Sequence, residues 1–142
     1  MQRVLKAFFP AVILAFVLAS VLFTQFNLAA LQAMGQEVST GVRIATTFDD
    51  LIGMASSYLV LILVAFIVGL PVAAGLNRLA PGHRALLFTL AGFAAVIALH
   101  LIMKAALGIT AIAVTRTLPG LLAQGLAGAV GGYCYHRLSR QA

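Results

Sequence analysis

Long uncharged tracts alternate with short charged segments along the whole chain. The tracts are Ala7–Gln36, Leu51–Asn77, Ala85–Met103 and Thr117–His136, with 30, 27, 19 and 20 residues. A helix of about 20 apolar residues crosses a hydrocarbon core roughly 30 Å thick. The pattern therefore predicts an all-α fold, an integral membrane four-helix bundle that forms a single transmembrane domain over residues 1–142. The predicted spans are about 4–28, 52–76, 84–104 and 118–137.

The composition supports a membrane protein over a soluble one. Hydrophobic residues make up 63% of the chain and charged residues 8%, and the mean hydropathy is +1.10. A soluble domain carries about 25% charged residues, which it needs to cover its surface. We therefore interpret the net charge of +6 as a signal of topology and of contact with lipid headgroups, and expect a lipid-bilayer environment and no nucleic-acid partner.

The distribution of charge predicts the orientation of the bundle. With four spans, one side carries six basic residues and no acidic residue: Arg3, Lys6, Arg78, Arg84, Arg137 and Arg140. The other side carries three basic and three acidic residues: Arg43, Lys104, Arg116, Glu37, Asp49 and Asp50. By the positive-inside rule, both termini face the cytoplasm (N-in and C-in). The preference for Arg over Lys and the abundance of Ala and Gly suggest a multi-pass protein of a bacterial inner (plasma) membrane.

The segment between the first two spans has a helical period of its own. Val38, Ala45 and Ile52 recur every seven residues, with most polar residues elsewhere around the helical wheel. This predicts an amphipathic interfacial segment between helices 1 and 2, although a solvated loop would also account for the residues. Thr47-x-x-Asp50 resembles a capping box and predicts the start of the second span.

Glycine is concentrated in the last predicted span. The helix-packing candidates are Gly120, Gly125, Gly128, Gly131 and Gly132. Helices in lipid associate through small residues that allow close backbone contact, so this face is predicted to be buried. Its partner is either the other spans or a second copy of the chain, which would make a homo-oligomer.

Glycine and proline also interrupt the second predicted span. Gly69 and Pro71 lie in the half of that span nearest its C-terminal end. Proline removes a backbone hydrogen bond inside a helix, so this pair predicts a hinge.

Polar residues of the predicted spans collect in the half that faces outward. The candidate polar pocket consists of Thr24, Asn27, Ser56, Tyr58, His100, Lys104 and Gln124. Polar side chains in a bilayer face the bundle interior or a cavity. An outward-facing binding pocket accounts for this pattern, and so do a snorkelling lysine and a histidine that bonds neighbouring helices.

Three histidines raise the question of haem. His83 and His136 lie at the predicted cytoplasmic rim, and His100 lies within a span. No second pair of ligands has helical spacing, so we predict no metal and no cofactor, with a haem-bearing membrane anchor as the weakest alternative.

The sequence leaves two main hypotheses for function. The first is a non-catalytic interaction or accessory subunit that acts through its glycine-rich helix on a membrane-protein partner or as a homo-oligomer. The second is a permeation or binding unit for a small anionic or neutral solute that uses the outward polar cluster. Since the sequence has no Ser/His/acid set, no reactive Cys–His pair and no paired carboxylates, we predict no catalytic residue and no enzyme.

Overall fold

The structure is a computed structural model that describes residues 2–108 and 113–141. Within these residues the chain is all-α. It forms α1 (Gln2–Ala33), α2 (Thr40–Ala55), α3 (Tyr58–Leu79), α4 (Arg84–Leu107), a short 3-10 helix (Ala113–Arg116) and α5 (Leu118–Gln141). Of these helices, α1, α3 and α4 are long and apolar enough to cross a membrane.

The four long helices follow one another antiparallel in a ring. α5 packs along α1 on one side and α4 on the other, α3 packs along α4, and α3 meets α1 in a looser seam. We call the end of the bundle where α4 ends and α5 begins the Lys104 end. The opposite end, where α1 begins and α5 ends, is the Arg84 end.

Small residues on α1 let it lie close to α5. Ala7, Ala11, Ala15 and Ala19 recur every four residues and are all buried. Side chains four residues apart share one face of a helix, so these alanines form a single stripe. Because the stripe has almost no side-chain bulk, the backbones of α1 and α5 approach closely.

The short helix α2 folds back on the C-terminal half of α1. The Ser39 side chain caps its start by accepting a hydrogen bond from the Val42 N–H at 3.2 Å. The predicted segment between the first two spans is thus a 16-residue helix. The capping-box interpretation of Thr47-x-x-Asp50 is wrong, because both residues lie inside α2 and bond to α1.

The second long helix begins later than the uncharged tract suggested. Residues 52–55 end α2, and α3 begins at Tyr58. Ser56 and Ser57 separate the two helices, and serine favours such breaks because its hydroxyl competes for backbone hydrogen bonds. α3 then continues through Gly69 and Pro71 to Leu79.

Candidate functional site

Gln124 of α5 is the centre of a buried polar network at the Lys104 end. Its side chain has no exposed surface. The amide nitrogen Nε2 donates to the Ala19 carbonyl of α1 at 3.1 Å, and the amide oxygen Oε1 accepts from the Tyr58 hydroxyl of α3 at 2.7 Å. Burying an amide costs free energy unless it is hydrogen-bonded. One side chain therefore ties three helices together.

His100 adds α4 to the same network. Its Nδ1 lies 2.8 Å from the Val96 carbonyl, one turn earlier on α4. A carbonyl only accepts, so Nδ1 carries a hydrogen. The other ring nitrogen, Nε2, lies 3.4 Å from the Tyr58 hydroxyl oxygen, and the two rings meet edge to face at 5.8 Å.

The hydrogens of this network have one consistent arrangement. Because the Ala19 carbonyl only accepts, the NH2 group of the Gln124 amide must point toward it, and Oε1 then points toward Tyr58. Tyr58 has one hydroxyl hydrogen, and the 2.7 Å bond to Oε1 uses it. When His100 is neutral, Nε2 therefore presents a lone pair to an oxygen that has no hydrogen left to donate.

A small pocket opens beside His100, between the end of α4 and the start of α5. It has a volume of about 180 Å³, and its lining residues are His100, Leu101, Lys104, Thr115, Arg116, Thr117, Leu118 and Leu121. Lys104 and Arg116 are both exposed. Since none of these described lining residues is acidic, the pocket carries positive charge.

Hydrogen bonds around Thr117 fix the wall of the pocket on the α5 side. Its hydroxyl donates to the Val114 carbonyl at 3.2 Å and accepts from the Gly120 N–H at 3.2 Å. Gly120 is buried against the same carbonyl, and a Cβ on Gly120 would overlap it. The 3-10 helix that carries Arg116 is thus held tightly to the first turn of α5.

The structure brings together four of the seven predicted pocket residues. Tyr58, His100 and Gln124 form the network, and Lys104 shares the pocket with His100. Thr24 lies elsewhere and donates to Asp50 of α2 at 2.7 Å. The other two are Asn27, half-buried on α1, and Ser56, exposed in the α2–α3 turn.

A second polar layer, between α1 and α2, was missed by the sequence analysis. Besides the Thr24–Asp50 bond, the amide of Gln25 donates to Thr47 at 3.2 Å. Arg43 of α2 donates to Gln25 at 2.6 Å and to Gln32 at 3.0 Å. The spacing of Arg43, Thr47 and Asp50 places them on one helix face, a signal that the sequence contained.

The opposite face of α2 is apolar and open. Phe48 is 62% exposed and Ile52 76% exposed. A helix on the surface of a soluble protein buries its apolar face and exposes its polar one. α2 does the reverse, so its surroundings are expected to be apolar.

The predicted packing glycines of α5 all contact residues of this chain. A Cβ on Gly128 would overlap the Gly92 carbonyl of α4, and one on Gly132 would overlap the Phe88 carbonyl. On the opposite side, a Cβ on Gly131 would lie 2.7 Å from the Ala15 Cβ of α1. Gly125 and Gly120 meet neighbours just as closely, Gly125 against Phe93 and Ile97 and Gly120 against Val114.

Gly69 also has a close neighbour. A Cβ at this position would lie 2.9 Å from the Ala95 Cβ and 3.4 Å from the Ala91 carbonyl oxygen, both on α4. The structure thus gives Gly69 a packing role between α3 and α4, while the hinge at Gly69 and Pro71 stays a prediction.

The three histidines are divided between the two ends of the bundle, with His83 and His136 at the Arg84 end and His100 near the Lys104 end. His83 precedes α4, and His100 lies 17 residues further along, about 25 Å at 1.5 Å per residue. His136 is buried near the end of α5, at the Arg84 end, and its Nδ1 has no hydrogen-bond partner among the described residues. Within residues 2–108 and 113–141, no three His, Cys, Asp or Glu side chains cluster as metal ligands would.

Comparison with known proteins adds no relative. The chain matches no protein-family model, no curated protein and no solved structure.

Proposed function

We propose that α5 is a fourth membrane span and that both termini face the cytoplasm of a bacterial cell. α5 has 24 residues, as many as α4, and it lies between α1 and α4 along its length. The start of α1, the α3–α4 turn and the end of α5 all meet at the Arg84 end. The six basic residues predicted to face inward belong to these three segments, which supports a cytoplasmic Arg84 end.

The function that the geometry supports best is non-catalytic binding of a small anion from the outer side. The supporting observation is the pocket that joins His100, Lys104 and Arg116 beside a buried hydrogen-bonded network. Two cations beside an imidazole and two threonines in a restricted volume suit an oxyanion, such as a sulfate, a phosphate or a phosphate-bearing headgroup. Closer to the Arg84 end, Gly92 and Gly128 bring α4 and α5 into backbone contact. This contact favours a binding site over a pore between those two helices.

Sulfate binding to the full chain in lipid nanodiscs tests this proposal. In phosphatidylcholine discs, we expect titration calorimetry to detect binding that is lost when Lys104→Gln and Arg116→Gln are combined. The matched control combines Lys6→Gln and Arg78→Gln at the Arg84 end, which removes the same charge and should leave binding intact.

A second arm distinguishes a free anion from a lipid headgroup. If phosphatidylglycerol added to the discs competes with sulfate, the headgroup uses the same site. If phosphatidylglycerol is retained while sulfate never binds, the pocket is a lipid-headgroup site. Equal binding of both probes to the parent chain and to the Lys104/Arg116 double variant would refute an anion site in this pocket.

The accessory-subunit hypothesis ranks second because the glycine-rich helix on which it depends packs against helices of the same chain. The glycines of α5 contact α1, α4 and the 3-10 helix of the same chain, so they leave no glycine face for a partner. A homo-oligomer or a membrane-protein partner would have to use other surfaces. Native mass spectrometry from lipid measures copy number directly, and a stable assembly of several copies would restore this hypothesis.

A further inference from the structure

The polar network has one unfilled hydrogen position, and it belongs to His100, a residue that also lines the proposed anion pocket. Tyr58 donates its hydroxyl hydrogen to Gln124, and Gln124 donates in turn to the Ala19 carbonyl. Among the described side chains of this network, the only nitrogen without a hydrogen is Nε2 of neutral His100, 3.4 Å from the Tyr58 oxygen. That distance is longer than an ordinary hydrogen bond, as expected where two lone pairs face each other.

We infer that the pocket binds its anion together with one proton, which resides on Nε2 of His100. This inference rests on the proposed function. With Nε2 protonated, His100 donates to Tyr58, Tyr58 donates to Gln124, and Gln124 donates to the Ala19 carbonyl. Hydrogen bonds then run unbroken from His100 through Tyr58 and Gln124 to the Ala19 carbonyl, and the positive ring lies in the wall of the anion pocket.

The charges around His100 explain why proton and anion would bind together. From α4 the pocket receives Lys104, and from the 3-10 helix it receives Arg116. α3 contributes the neutral Tyr58 and α5 the neutral Gln124, while α1 contributes a backbone carbonyl to Gln124. No described residue that lines the pocket is acidic.

The consequence is a reciprocal coupling between the two ligands. In the empty pocket, Lys104 and Arg116 repel a proton on His100. A bound anion offsets that repulsion, so it favours protonation of His100. Protonation in turn raises the affinity for the anion. The free energy of coupling is the same in both directions, so either ligand can report it.

Sulfate is a suitable probe because it stays fully ionised between pH 5.5 and 8, the range in which imidazole titrates. In phosphatidylcholine nanodiscs we expect the sulfate affinity of the parent chain to fall about tenfold from pH 5.5 to pH 8. Calorimetry in buffers of different ionisation enthalpy should detect net proton uptake on binding near neutral pH.

Two variants assign the proton to His100. His100→Gln should still bind sulfate, with an affinity independent of pH and no proton uptake. Tyr58→Phe keeps the ring and removes the oxygen that accepts from Nε2, so it should reduce the change in affinity with pH. Lys6→Gln, at the opposite end, should leave both the affinity and the proton uptake unchanged.

The outcomes separate this inference from the proposed function. Sulfate binding that does not vary with pH and takes up no proton overturns the inference and leaves the anion site standing. Proton uptake that persists in both His100→Gln and Tyr58→Phe also overturns it. If neither sulfate nor phosphatidylglycerol binds the parent chain at any pH, the anion site fails first and the inference fails with it.

Discussion

Replacing Gly128 with alanine tests the packing of α5 directly. A Cβ at this position would overlap the Gly92 carbonyl oxygen and lie 2.6 Å from Cγ2 of Val96. Carbon atoms in ordinary contact are about 3.5–4.0 Å apart. One added methyl group therefore requires α4 and α5 to separate by roughly 1 Å, since the obstructing carbonyl belongs to helix backbone and cannot rotate away.

Two opposing effects set the size of the change. Alanine is a better helix former than glycine by about 1 kcal/mol. Overpacking a tight interface typically costs about 1–3 kcal/mol, and a backbone carbonyl in the way places this variant at the upper end. The free energy of unfolding of Gly128→Ala should therefore fall by about 2 kcal/mol.

Gly75→Ala is the matched control. Gly75 lies inside α3, and nothing lies within 4 Å of the Cβ it would gain. This variant has the helix-propensity gain without the clash, so its free energy of unfolding should rise by up to about 1 kcal/mol. The two variants should differ by roughly 3 kcal/mol, about a hundredfold in the unfolding equilibrium.

The single cysteine provides the assay. Cys134 is half-buried in α5, so a maleimide dye should label it faster once the bundle opens. Unfolding in mixed micelles with increasing dodecyl sulfate gives the free energies of the parent chain and both variants. If Gly128→Ala proves as stable as Gly75→Ala, close contact between α4 and α5 is not what holds this bundle together.

Three further predictions concern the polar layers and the topology. Gln124→Leu should lower the free energy of unfolding by about 2 kcal/mol in the same assay, because it removes the two buried hydrogen bonds that join α5 to α1 and α3. Thr24→Val should loosen α2 by removing the hydroxyl that donates to Asp50, which hydrogen exchange would show as faster exchange in α2 alone. In a Cys134→Ala background, Ala80→Cys should be labelled by impermeant maleimide only after cells are opened, and Gln36→Cys in intact cells.

Gln124→Leu with unchanged stability would mean that the network adds nothing to folding. Asp49→Asn, an exposed change on the other side of α2, should leave exchange in α2 as it is. Labelling of Ala80→Cys in intact cells would reverse the proposed orientation.

The long helices were predictable because charge is so rare in this chain. The uncharged tracts alone placed α1, α4 and α5 closely, whereas α3 begins at Tyr58, seven residues after its tract begins at Leu51. The glycines of α5 were equally visible, since Gly128 and Gly132 have the spacing of a close helix contact. Their partner Gly92 was not, because a single glycine in α4 forms no pattern by itself.

The polar contacts depended on which helices are neighbours. Thr47 and Asp50 match a capping box as well as an inward-facing stripe, and only the return of α2 against Gln25 of α1 distinguishes the two. Tyr58 and Gln124 are 66 residues apart, and nothing in either local sequence predicts their bond. The sequence showed which helices carry polar groups, and the ring order of the helices decided which of those groups met.

The position of α5 explains why its composition differs from that of the other long helices. A span that faces lipid must be apolar over much of its surface, whereas one enclosed by protein needs less hydrophobicity. α5 has close neighbours on two sides, α1 at Gly131 and α4 at Gly128. Because glycine brings those helices so near, the amide of Gln124 can reach the backbone of α1 while its oxygen still meets Tyr58. In the proposed four-span arrangement, the low hydropathy of α5 and the polar network therefore have a common cause. The small side chains of α5 let the neighbouring helices approach closely, which encloses the helix and brings the polar groups within hydrogen-bonding distance.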